Sequence, residues 1–294
     1  MASRVQGLDT IISDEEWSDA LQEQLDEPSK WKAFCNVIFT DKDTVNNPYH
    51  TDPSTSAYNR GSPYSYAQMA QTNESITLAQ DHILVLPIDE MTLAQSNYAT
   101  AMEWAKRIGV LLDERIEIVI YGDHPEWTDF TNTTMGGASG SITFSATNVD
   151  NFLRILRREI VQAEGGGLLA RNKGFVVWQP ADFVFMEEFM QLNGYGLADK
   201  FLERGGGEAD AGGIYYGGFW HYESNLLPAG RAVAGVNKAI SVYISRTGYG
   251  KIKLIQEDPN NQAGIAIRGR VLFEPTVWNN LAGVVFDVAT VATD

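Results

Sequence analysis

The sequence predicts an α+β fold with extended arms, and three observations predict it. A helical apolar period runs unbroken over residues 94–119, and β-type runs lie in blocks on either side of it. Between two strands of the first block stand more than twenty residues with no helical period. A structureless segment of that length inside a compact domain needs a reason to exist.

Residues 12–27, ISDEEWSDALQEQLDE, offer Ser13 as an N-cap and place acids in the first turn, where they complement the helix dipole. Trp17, Leu21 and Leu25 then make a narrow apolar stripe. It is too thin for a core of its own and needs another surface to lie on, on this chain or a neighbouring one. From Phe34 to Leu86 two β-type runs, CNVIFTD and ESITLAQDHILVLPI, flank a polar stretch that carries Tyr49, Tyr58, Tyr64 and Tyr66. Tyrosines on a projecting hairpin suit contact with other chains, because they bring area at low entropic cost and keep a polar tip.

The apolar stripe Ala94, Tyr98, Ala101, Ala105, Ile108, Leu112, Ile116, Val119 predicts about seven turns of helix, with Asp89 at the N-cap position. Its early part is rich in small residues, Gly109 among them, which predicts a close neighbour on that face. A second helix is expected from Asn148 to Ala163, ended by Gly165, Gly166 and Gly167. GFVVWQP reads as a buried strand and ADFVFMEEFMQLNG as a short helix. GIYYGGFWHYES and KAISVYISR read as strands. KIKLIQ and GIAIRGRVLFEP form a pair joined by the turn DPNNQAG, and WNNLAGVVFDVATV ends the chain as a β run.

Thirty-eight acids against 22 bases give a net charge of -16, which disfavours a close grip on a phosphate backbone. The single cysteine, Cys35, excludes an internal disulfide framework and a Cys-rich zinc site, and fits a reducing compartment. No window approaches the length of a membrane span, and MASRVQGLDT lacks the apolar core of a signal peptide. Retention of residue 1 leads us to expect no large N-terminal processing.

Candidate chemistry is thin. Asp89 and Glu90 as a general acid and base need environments that separate their pKa values, whereas adjacent residues at a helix start point in different directions. Asp123, His124 and Glu126 are metal ligands by type, yet no second histidine stands at ligand spacing. His221 and Glu223 alternate on a strand and fare no better, so His221 is expected at the surface or the edge of the core. The loop ERGGGEADAGG, 203–213, lacks a following G-K-[ST] and carries acids that repel phosphate. There is no G-x-S-x-G and no histidine near Cys35. No catalytic, metal or cofactor residue is therefore assigned.

In order and spacing these segments resemble the major capsid proteins of tailed double-stranded DNA bacteriophages, which share the HK97-like fold. "LPIDEMTLAQSNYATAMEWAKRIGVLLDERI" is similar to the family's spine helix, and "GFVVWQPADFVFMEEF" to the start of its axial domain. "GFWHYESNLLPAGRAVAGVNKAISVYISRTGYGKIKLIQEDPNNQAGIAIRGRVLFEPTVW" resembles its axial strand followed by two long peripheral strands. The resemblance implies an N-arm (1–33), an E-loop (34–86), a peripheral domain (87–165), an axial domain (166–248) and return strands (249–294). It implies a self-assembling, non-enzymatic subunit of hexameric and pentameric capsomers in an icosahedral virion, enclosing DNA and assembled in the host cytoplasm. Trp17, Leu21, Tyr49, Tyr58, Tyr64 and Tyr66 are its inter-subunit contact candidates.

Some members of the family form an isopeptide bond between subunits, for which Lys42 with Asn260 or Asn261 are the candidates here. Further implied partners are a portal, a separate scaffolding protein and a decoration protein. Low basic charge also suits a shell around dense DNA, since basic patches would trap it. Two alternatives remain at this stage: an encapsulin-type shell holding enzyme cargo, and an acidic α/β hydrolase.

Overall fold

The computed structural model describes residues 29–51, 57, 60, 69–89, 100–122, 144–162, 166–192, 213–246, 253–256, 264–277 and 283–287. Helices are α1 (Trp31–Phe34), α2 (Thr100–Tyr121), α3 (Val149–Ile160), α4 (Gly166–Asn172) and α5 (Pro180–Leu192). Strands are β1 (Asn36–Thr40), β2 (Thr44–Thr51), β3 (Ala70–Thr77), β4 (Gln80–Asp89), β5 (Gly174–Trp178) and β6 (Ile214–Tyr216). They continue as β7 (Phe219–Glu223), β8 (Arg231–Val236), β9 (Ile240–Ser245), β10 (Lys253–Gln256), β11 (Gly264–Val277) and β12 (Gly283–Asp287). The observed class is α+β, as expected.

Two five-stranded sheets organise these elements. The first runs β1-β9-β11-β10, with β4 also on β11. Its β11 serves three partners, pairing antiparallel with β4 over Gly264–Phe273, with β10 over Ile265–Arg268, and with β9 over Phe273–Val277. The second runs β12-β8-β5-β7-β6 around a central β5 whose five residues are all buried. The third is the ribbon β2–β3, paired from Thr44↔Thr77 to Thr51↔Ala70.

Period-2 alternation assigns the faces of β5 to two different cores. Val176 and Trp178 join α3, α5 and the inner residues Ala232, Ala234 and Val236 of β8. Phe175 and Val177 look the other way, into a core shared with Ile116 and Ile120 of α2, Trp31 and Phe34 of α1, and Val242, Ile244, Val271 and Phe273 of the first sheet. Each large side chain fully buried there contributes about 1.5–3 kcal/mol of transfer free energy. The N-terminal half of α2 lies on β4 and β11 through Ile108, Ile267, Leu84, Leu86 and Trp104.

The structure corrects several expectations. Asp89 is the last residue of β4, its backbone opposite Gly264, so a ten-residue ladder with β11 carries the strand up to the position read as the helix cap. Glu90 and residues 91–99 lie outside the described residues, and α2 is described from Thr100. Gly109 faces open space instead of a close neighbour. Gly166 and Gly167 do not merely end a helix; they open α4, and Lys173 beyond it takes the left-handed conformation (φ 61°). GIYYGGFWHYES is two strands, since Gly217 and Gly218 both adopt positive φ and reverse the chain.

RAVAGV forms β8, which the sequence reading passed over. Helix α3 packs on the second sheet and β12 pairs with β8 there, whereas β9 belongs to the first sheet.

Candidate assembly surfaces

Helix α2 fixes the point where the N-terminal segment meets the body. Glu117, 1% exposed, accepts the Lys30 amide at Oε2 (3.0 Å) and the Ser224 hydroxyl at Oε1 (3.1 Å). One turn earlier Asp113 accepts the Ser29 hydroxyl and pairs with Lys32 Nζ at 2.7 Å. The Lys30 ammonium donates to the Glu223 carbonyl. Trp31 and Phe34 then bury completely, so this clasp sits over a packed core. A buried carboxylate is tolerated there because it has hydrogen-bond donors from two other segments. Burial, and secondly the Glu117 charge, push the hydroxyl of Tyr121 and the thiol of Cys35 well above their ordinary pKa values, which keeps both neutral.

On the face of the first sheet turned away from α2, alternation places Ile83 and Val85 of β4 with Arg268, Arg270 and Leu272 of β11. Ile83 is 57% exposed and Val85 41%. Arg270 stands opposite Ile83 and reaches along the ladder to Asp81, with Nε 2.7 Å from Oδ1. That ion pair holds the Asp81 carboxyl below the usual range, and it keeps the guanidinium on this face.

Of the residues weighed for chemistry, Cys35, His221 and Glu223 lie among the described residues. His221 is fully buried, not at the edge of the core. The Trp178 indole N–H donates to its Nδ1 at 2.9 Å, so Nε2 carries the proton and donates to the Tyr216 carbonyl at 3.1 Å. Burial lowers its pKa to about 4, and a neutral ring meets both bonds. Among the described residues no group of three His, Cys, Asp or Glu side chains could hold a metal ion, and no helix is long and apolar enough to cross a membrane. Asp123, His124, Glu126 and most of the glycine loop lie outside the described residues.

No family model and no curated protein matches the sequence. Solved structures do match. The capsid of an empty GTA particle aligns with a TM-score of 0.68 at 13% identity, over 99% of this chain and 100% of that one. The fold is the HK97-like capsid fold. The Gordonia phage Cozz structure agrees at TM-score 0.62 and 17% identity, over 99% of this chain and 96% of the other. A virus-like particle from Pyrococcus furiosus aligns at TM-score 0.55 and 12% identity, covering 91% of this chain and 96% of that one.

Within this capsid fold, Tyr49 lies on β2 opposite Thr72. Lys42 is an exposed residue in the bend between β1 and β2, its amide donating to the Thr40 hydroxyl at 3.1 Å. Trp17, Leu21, Tyr58, Tyr64, Tyr66, Asn260 and Asn261 lie outside the described residues. Sequence reasoning missed Glu117 and the Ile83–Val85 face. The first was legible as a lone acid inside the apolar run IEIVI, and the second as β-branched residues on the outward positions of an alternating strand.

Proposed function

We propose that this chain is the structural subunit of an icosahedral phage head, assembling as hexamers and pentamers around packaged double-stranded DNA. The observation that carries the proposal is a capsid fold matched over nearly the whole length of both chains. It favours a structural role over an enzymatic one. The phage reading stands ahead of the encapsulin reading because the capsid structures align at higher TM-score than the virus-like particle.

The parts follow the sheets. The first sheet with α2 forms the peripheral domain, and the second sheet with α3, α4 and α5 forms the axial domain. Ribbon β2–β3, within the 34–86 segment, is the E-loop, and residues 1–33 are the N-arm that the α2 acids anchor. Trp17, Leu21, Tyr49, Tyr58, Tyr64 and Tyr66 contact neighbouring copies. A two-stranded ribbon is marginal on its own, so it gains stability from other chains. Portal, scaffolding and decoration proteins complete the head, and the shell is assembled in the host cytoplasm.

Electron microscopy of the protein expressed alone and with its gene neighbours tests this. We expect icosahedral shells with the neighbours present, and tubes or misclosed sheets from the chain alone. A monodisperse monomer under both conditions overturns the proposal, and well-closed shells from the chain alone remove the need for a scaffold. An isopeptide bond from Lys42 to Asn260 or Asn261 predicts a covalent ladder that survives boiling in detergent; monomer alone on the gel excludes it.

A further inference from the structure

We propose that the outer face of the first sheet at β4 and β11 is the receptor for residues 13–27 of a neighbouring copy. The inference rests on the self-assembly reading above and names the surface that reading leaves open.

The face has a definite chemistry. Ile83 and Val85 are β-branched and about half exposed on a strand whose alternate residues Leu84 and Leu86 pack under α2. Arg268 stands directly across the ladder from Val85, Arg270 from Ile83, and Leu272 extends the apolar strip. Arg270 is paired with Asp81 on the same face, which leaves Arg268 as the positive edge beside Val85, and an apolar strip with that edge selects an acidic, one-sided partner. Residues 13–27 have that composition: seven acids, no base, and Trp17, Leu21 and Leu25 at helical spacing. Their thin stripe cannot make a core alone, and the strip on the sheet is correspondingly narrow.

Chain length decides which copy supplies the segment. The clasp of Ser29 and Lys30 to Asp113 and Glu117 fixes the end of the segment to α2, on the opposite side of the first sheet from Ile83 and Val85. Leu25 is four positions from Ser29, and that stretch fully extended reaches about 14 Å. Passing a helix layer and a sheet, each about 10 Å thick, takes roughly 20 Å before any detour around the sheet edge. A chain therefore does not lay Leu25, and with it the complete stripe, on its own outer face, and a second copy provides it.

The experiment mixes two single variants of the full chain, Leu21→Cys and Val85→Cys, during assembly and oxidises the resulting particles. The native Cys35 is buried and does not compete. We expect a disulfide-linked dimer in mixed particles at several-fold the yield given by Leu21→Cys mixed with Leu192→Cys, whose position is 74% exposed on α5. Adding Arg268→Glu to the Val85→Cys chain lowers that yield several-fold. Particles that form normally but give only the yield of the Leu192→Cys control overturn the docking face while leaving the capsid reading intact. Failure of the unmodified chain to form particles overturns both.

Discussion

His221 shows how a residue that looks like a ligand is spent on structure. Its ring bridges Trp178 on β5 and the Tyr216 carbonyl on β6, and the Trp178 bond requires the neutral form because only an unprotonated Nδ1 accepts it. Its folded pKa of about 4 lies below the ordinary value of 6.5, so the unfolded chain takes up a proton first as the pH falls. The stability this group contributes is complete above pH 6.5 and is lost as the pH falls towards 4. Between pH 7 and pH 5 the loss is about 2 kcal/mol. Urea titrations of the unassembled chain at both pH values, compared with His221→Gln, check this. The variant is expected to be less stable at pH 7 and to lack that part of the pH slope, whereas parallel slopes for the two proteins sink the assignment. Nothing in the spacing of the four histidines signalled this role, because burial depends on which strands become neighbours.

Elements were legible where their local pattern and their final environment agree. Helix α2 and strands β5 and β9 have strong periodic or continuous apolar signals, and the tertiary structure places them where those signals point. Strand β8 was missed because RAVAGV is short and built of small residues, and only its position between β5 and β12 makes it a strand. The extension of β4 to Asp89 was not legible, because the β11 ladder that holds it is a long-range contact. The contact between α2 and β11 turns on Gly269. A Cβ there falls 2.2 Å from Ile108 Cγ2 and 2.9 Å from Leu112 Cδ1, so the strand admits the helix only without a side chain. Gly269→Ala is expected to cost roughly 1–3 kcal/mol, more than the gain from replacing a strand glycine. Combining it with Ile108→Ala relieves the clash, so the double variant's loss should fall short of the two single losses together by about 1 kcal/mol. Simple additivity in urea midpoints counts against the close approach.

The whole molecule is joined through β5. Its two faces serve different cores, and the core that takes Phe175 and Val177 also takes Trp31, Phe34, Ile116, Val242 and Phe273. Phe175 stacks on Phe34 with ring centroids 4.5 Å apart, which ties the second sheet to the anchor of the N-terminal segment. Glu117 strengthens the same junction by holding Lys30 and Ser224 together. Two sheets that share a core lose it together, so neither is expected to unfold independently. Hydrogen exchange of the unassembled chain in increasing denaturant should therefore show peptides from α2, β5 and β11 opening at one midpoint. Phe175→Ala sharpens the test, because it removes a side chain from the second sheet and costs about 3–5 kcal/mol. If the junction couples the sheets, β11 and β5 peptides shift by the same amount although only β5 is altered. A shift confined to β5 and its neighbours β7 and β8 would mean that the sheets are separate cooperative units. Transmission of strain from the first sheet to the second through their common core requires the first outcome, since Phe175 and Val177 of the second sheet pack with Val242, Val271 and Phe273 of the first.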